Sequence, residues 1–383
     1  MRPWKSCTTI GVAAILATPL PAVAADSPPV LRPAILADGA GFAFQGKTKG
    51  VNKTRQSASG IACSKPAAAP RVCLVVFDEG VEARYLVLNG DVLATDAERV
   101  VLLDKDGELD AEGAAVDDTH YYVTGSHAAK RKSCDNNPDG RHVLRFDVDP
   151  ASGRVKRGSD GKLAGRKEAD LWGLMQKLPG LAPHVGDNKC LGTKPPTDPG
   201  MPGLVGQRGV DIEGLATDGT RLFFGFRGPT DPNGRSAKIL RVNAAPFFDG
   251  GDPEPVLADV EIGRHRGIRD LQAVPGGLLI LAGPDDDADD DDKSVLDSGW
   301  IISFWDKEPG TPAKVLARLH LSDVEPRPCD SKDKQKPGEA IKPEGLAVLS
   351  EDAESFQVLV LSDGMCDGGP LRTKILKQPQ ILS

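Results

Sequence analysis

Aromatic side chains are scarce, at 5% of the 383 residues. That argues against a lectin built on sugar-stacking platforms. Basic residues are also in deficit, 47 Lys and Arg against 55 Asp and Glu, for a formal net charge of −8. Nucleic acids and anionic membrane surfaces select a basic face, so neither is expected as a partner. Beyond the N-terminal segment no run is apolar enough to cross a bilayer, so no membrane insertion is expected. There is no G-x-S-x-G elbow, no H-E-x-x-H pair, no P-loop and no dinucleotide fingerprint. The chemistries those motifs serve are set aside. No C-x-x-C pair is present, so a structural zinc site is not expected. The six histidines, at 120, 127, 142, 184, 265 and 320, are dispersed without ligand spacing.

What is present begins with "MRPWKSCTTIGVAAILATPLPAVAAD". Arg2 and Lys5 form a charged start, Ile10 to Leu20 a short apolar stretch, and Ala22-Val23-Ala24 a small-residue cleavage site. Residues 1–25 therefore read as an export signal, and residues 26–383 as the mature chain, periplasmic or secreted. Cys7 leaves with that segment. The six remaining cysteines are 63, 73, 134, 190, 329 and 366. An even number in an exported chain reads as disulfides. Cys63 and Cys73 could staple one hairpin, Cys134 and Cys190 could close an insertion, and Cys329 and Cys366 could tie the end of the chain.

Five stretches look alike: "SASGIACSKPAAAPRVCLVVFDEG", "LDAEGAAVDDTHYYVTGSH", "VDIEGLATDGTRLFFGFRGP", "RDLQAVPGGLLILAGP" and "KPEGLAVLSEDAESFQVLVLSDG". Each opens on a polar residue, runs through a small apolar strand, turns, and returns through a strand apolar on both faces. Such a strand belongs between two neighbouring sheets. Two more alternating strands follow, as in "AKILRVNA" and "EPVLADVEI". Four strands per unit with the most apolar pair first is the pattern of a propeller blade. The expected fold is all-β, a β-propeller of five or six four-stranded blades. A short helical insertion, "EADLWGLMQKL", falls within about 150–208. The last unit lacks a strand, and "PAILADGAGFAF" near the N-terminus could supply it and close the ring. The acidic run "PDDDADDDDK" reads as a solvated loop, with a calcium loop as the alternative.

These five motifs, in this order, resemble a bacterial family described as a domain of unknown function, number 3616. The likeness runs over roughly residues 55 to 365. The resemblance implies a β-propeller without an established reaction. The chain is also distantly similar to esterase-like and phytase-like propellers, which repeat a Glu-Gly at the channel end.

In a propeller the first strand of each blade lines the channel, so equivalent positions meet. By aligning acidic residues, Glu112, Glu213 and Glu344 share one position, with Gln272 and Ser59 in the remaining units. Asp110, Asp211 and Asp270 precede. Second strands end at Asp78, Glu79, His127, Arg227 and Asp363. Carboxylates crowded this way repel unless compensated, and Arg227 and Arg269 are shaped to pair with them.

Three readings follow. One is a monomeric module binding a small anionic or metal-bridged ligand. Its ligand contacts are Glu79, Asp211, Arg269, Asp270 and Asp363. Another is a calcium-assisted hydrolase of phosphate or carboxylic esters. There Glu112, Glu213 and Glu344 hold the metal, Arg227 stabilises developing charge, and His127 or Asp78 is the base. The last is a protein-interaction scaffold working through the outer blade edges. Calcium is the one cofactor considered.

Overall fold

The computed structural model describes Met1, 32–33, 35–36, 41–65, 70–104, 107–197, 204–287, 299–330 and 341–378. The signal-segment reading and the acidic positions 289–292 lie outside the described residues.

Four units carry four antiparallel strands each, and the first carries extra short ones. The first blade is Ala58–Cys63, Arg71–Phe77, Glu82–Asn89 and Val92–Thr95. The second is Ala111–Val116, His120–Gly125, Val143–Asp147 and Lys167–Glu168. The third is Asp211–Thr217, Arg221–Gly228, Ser236–Asn243 and Val256–Glu261. The fourth is Arg266–Val274, Gly277–Pro284, Ile301–Trp305 and Lys314–Arg318. The fifth is Lys342–Glu351, Ser355–Asp363 and Leu371–Leu376, completed by Arg32–Pro33. The inner strands touch in cyclic order, the fifth returning to the first. The protein is a five-bladed β-propeller.

The number of blades settles at five because the long interval between Glu112 and Glu213 holds no further blade. It completes the second one and then makes the excursion, with Leu171–Met175 as a five-residue helix capped by Asp170. The N-terminal segment closes the ring, as its sequence suggested, but it serves two blades. Arg32–Pro33 pairs antiparallel with Leu371 and Arg372 of the fifth. Ile35–Leu36 then pairs parallel with Val92 and Leu93 of the first.

Apolar side chains sit between sheets rather than in one central core. Five clusters fill the five gaps. Leu74, Tyr85, Tyr121 and Phe146 join the first and second blades, and Ile212, Phe224 and Leu240 join the second and third. Phe42, Phe77 and Leu361 join the fifth back to the first. That is why "RLFFGFRG" is apolar on both faces: from Leu222 to Gly228 every residue is buried. All three disulfides form, Cys63–Cys73, Cys134–Cys190 and Cys329–Cys366. No helix among the described residues is long and apolar enough to cross a membrane.

Candidate functional site

Each inner strand carries a β-bulge near its start, and these five bulges share a level in the ring; the fifth blade's inner strand has a second one, at Leu349. In the first blade Ala58 pairs with Phe77 and Gly60 with Val76, so Ser59 is the extra residue. The same skip falls on Glu112, Glu213, Arg269 and Glu344 in the following blades. A bulge interrupts the alternation and re-aims a side chain. The second strand of the third blade has its own bulge, which skips Arg227 between Phe226 and Gly228.

Four of the five bulges are followed by glycine, because there adjacent inner strands come closest. A Cβ on Gly60 would lie 2.8 Å from the Glu112 carbonyl oxygen. One on Gly113 would lie 2.7 Å from Leu215 Cβ. The recurrent Glu-Gly is thus a bulge residue turned into the channel and a spacer against the next blade. In the fourth blade the pair is Arg269-Asp270. This corrects the sequence alignment, which placed Gln272 with the glutamates; Gln272 lies three residues further along. Matching the preceding apolar residue, Ile212 with Ile268, gives the right register.

The five bulge side chains form a girdle across the channel. Arg269 is completely buried, and its Nη1 donates to Glu213 at 2.9 Å and to Glu344 at 2.8 Å. Ser59 Oγ donates to Glu112 and lies 3.4 Å from the Glu344 carboxylate. Arg227 Nη1 reaches Glu213 at 3.0 Å, while its Nε faces Asp286 at 3.3 Å. Between Glu112 and Glu213 the two carboxyls repel. Burial, reinforced by Asp110, Glu213, Asp78 and Glu344, holds the Glu112 carboxyl well above the usual carboxylate range. Glu344 is likewise raised, by burial first and then by Asp363.

Outside the girdle the mouth is divided. Toward the third and fourth blades the carboxylates are held by arginines. Arg131, from a loop of the second blade, bridges Asp211 and Asp286 at 3.2 Å each. Sequence reasoning missed Arg131, which stands in an unremarkable "AAKRKSC" loop. It also placed Asp286 in a solvated run, although the side chain is only 4% exposed. Toward the first, second and fifth blades carboxyls are in excess. Burial and then Asp363 push Asp78 up to about 7. Burial pushes Asp110 up to about 6, opposed by its hydrogen bond from Ser126. Asp363 is raised by burial even with Lys342 Nζ 3.5 Å away. Among the described residues no three acidic, His or Cys side chains are grouped so as to hold a metal ion directly.

The remaining positions divide by role. Asp270 is fully buried and accepts the backbone N–H of Leu271 at 2.7 Å and of Leu346 at 2.6 Å. It ties the fourth blade to the fifth. Glu79 pairs with Lys53. His127 sits in left-handed backbone at φ 57° and is wholly buried. Its Nδ1 lies 3.0 Å from the Gly125 carbonyl, which as an acceptor makes Nδ1 the protonated nitrogen. Burial pushes it down to about 4, so it is neutral. Arg227 is engaged by Glu213 and Asp286.

With this geometry in hand, the chain can be set beside known proteins. Residues 90–146 and 201–243 match the family described as Protein of unknown function (DUF3616). Those two stretches cover the outermost strand of the first blade, the first three strands of the second but for its Asp147, and the first three strands of the third. No curated protein matches. Solved structures similar to it are propeller-like over most of its length at low identity. Hydrazine synthase of Kuenenia stuttgartiensis is 14% identical, with 84% of this chain and 80% of that chain covered and a TM-score of 0.32. A GH43 β-1,3-galactosidase is 8% identical, covering 84% and 56%, with a TM-score of 0.39. An α-L-arabinanase of Penicillium chrysogenum is 7% identical, covering 93% and 99%, with a TM-score of 0.37. Likeness at this level bears on neither activity nor ligand.

Proposed function

We propose that this chain is an exported binding module, not a hydrolase. Its ligand presents a positive charge, its own or that of a bridging calcium ion, to the acidic half of the polar mouth. The observation that carries the reading is the carboxyl excess there. Asp78, Asp110, Glu112 and Asp363 come from three blades and all are raised above the carboxylate range. A cation entering among them relieves repulsion already present in the folded protein. The arginines are committed to Glu213, Glu344, Asp211 and Asp286. A free anion would have to break those pairs, so an anionic ligand enters with its counter-ion. Three disulfides support an oxidising compartment.

The test is a melting-temperature titration with calcium chloride and, separately, with 1,4-diaminobutane, at constant ionic strength. One of the two is expected to raise the melting temperature saturably, and the identity of the winner distinguishes a metal bridge from an organic cation. Asp78→Asn and Asp363→Asn should each lose the shift. No shift from either cation, or a shift that survives both substitutions, contradicts the reading. Turnover of a phosphoester or acyl ester, lost in Arg227→Ala, would replace it with the hydrolase.

A further inference from the structure

The opposite end of the channel holds a cavity of about 460 Å³, walled by the last residues of all five inner strands. It lies on the far side of the girdle from the acidic mouth, and none of the charged girdle or mouth side chains lines it. Its size falls in the range of roughly 300–1,000 Å³ typical of small-molecule sites.

The lining follows the inner strands residue by residue. Along each strand the lining residues are consecutive, 61–65, 114–118, 215–219, 271–275 and 348–351. A sheet face would contribute alternate residues only; a consecutive run means that the strand is seen edge-on. Each inner strand is indeed the terminal strand of its sheet, with one edge unpaired. Unpaired edge N–H and C=O groups seek partners.

One such partner is built in. Just inside the girdle, the Asp270 carboxylate accepts the N–H of Leu271 and Leu346, and Leu215 also donates to it. Three strand edges thus point their N–H groups at the channel. By the two-residue period of a strand, the next N–H groups on those edges belong to Thr217, Ala273 and Val348. All three residues line the cavity.

The charged side chains of the wall are largely occupied. Arg71 donates to the carbonyls of Ser64, Cys63, Val348 and Leu349. Asp117 accepts from Thr119, His120 and Tyr122. Asp218 holds Arg221 and Lys307. Glu351 holds Lys377. No Phe, Tyr or Trp lines the cavity. We infer that this cavity is a second binding site, for a short uncharged peptide segment taken up in extended form. The complement of a main-chain edge is another main chain, and most side chains of the wall that carry charge already have hydrogen-bond partners, which leaves a charged group little to balance its desolvation.

The probes are three molecules of one shape: N-acetyl-leucine amide, which is neutral, N-acetyl-leucine, an anion, and leucine amide, a cation. Binding to the full-length protein is followed by calorimetry and by amide hydrogen exchange. The neutral probe is expected to bind saturably and to slow exchange at Thr217, Ala273 and Val348, while the two charged probes do not bind. Gln272→Trp, at a half-buried wall position whose amide bonds only to the Ala273 carbonyl, should abolish binding. Absence of saturable binding by the neutral amide, equal binding by all three probes, or unchanged exchange at those N–H groups overturns the proposal. The exchange readout on the unaltered protein decides the matter even if the Trp variant does not fold.

Discussion

Replacing Arg269 by Met should be among the most damaging single changes in the molecule, and its cost should depend on pH. Arg269 has no exposure and faces two carboxylates at 2.8 and 2.9 Å. With charge centres about 4 Å apart and an effective dielectric near 20, each contact is worth about 4 kcal/mol before desolvation. The two losses are unequal. Glu213 keeps Arg227 at 3.0 Å, whereas Glu344 loses the guanidinium that lowers its pKa. The net result is one buried carboxylate without compensation, at about 3–5 kcal/mol. That is a large fraction of the roughly 5–15 kcal/mol by which domains are stable. Glu344 can escape by taking up a proton. Its folded pKa is raised above the unfolded value, so its folded state binds the proton more tightly. Stability from that proton is present at low pH and is lost as pH rises toward the folded pKa. The deficit in urea unfolding should therefore grow as pH rises from 5 to 8, and at pH 5 should amount only to the lost hydrogen bonds, about 1–2 kcal/mol. Arg269→Met combined with Glu344→Gln should recover most of the difference at pH 8. A deficit below about 1 kcal/mol at pH 8, or one equal at both pH values, would refute the girdle.

Other expectations follow from the same geometry. Gly113→Ala forces a methyl group against Leu215, 2.7 Å from its Cβ, and should cost about 1–3 kcal/mol in denaturant unfolding. Gly50→Ala, where the added methyl meets nothing within 4 Å in the helix Thr48–Arg55, should instead stabilise by about 0.5–1 kcal/mol. Asp78 is raised to about 7, so its contribution to stability falls as pH climbs from about 4 through 7. Asp78→Asn should accordingly stabilise relative to wild type at pH 8 and much less at pH 5, as measured by melting temperature at both values. Removing Cys134–Cys190, which spans 56 residues, should cost about 4 kcal/mol on chain-entropy grounds, against about 3 for Cys63–Cys73, which spans 10. Equal losses in the paired Cys→Ser variants would speak against that ordering.

The blades were legible because each strand announces itself by composition and each hairpin by its turn. "RLFFGFRG" could only lie between two sheets, and Asp, Gly and Pro marked the reversals. The disulfides join the three pairs the sequence offered as candidates, although six cysteines by themselves leave fifteen connectivities open. The fourth blade's register was not, because bulges are invisible to a comparison of residue type. Arg269 does the work that glutamate does elsewhere, so a search for acidic residues slid past it to Gln272. Arg131 and Asp286 were missed for a different reason. They belong to loops whose ends are set by other blades, and their pairing across 155 residues leaves no local trace. The far cavity left none either, since its wall follows the inner strands residue by residue and any small residues would build it.

The most direct test of the acidic mouth is a count of protons released when a cation binds. Calorimetric titration of the full-length protein at pH 7, with whichever of calcium or 1,4-diaminobutane stabilises it, is repeated in buffers of different ionisation enthalpy. The carboxyls of Asp78 and its neighbours hold protons in the mouth, so binding should expel them, with release shrinking at pH 9 and reduced in Asp78→Asn. Binding that moves no protons at pH 7, or moves the same number without Asp78, would show that those carboxyls do not receive the cation.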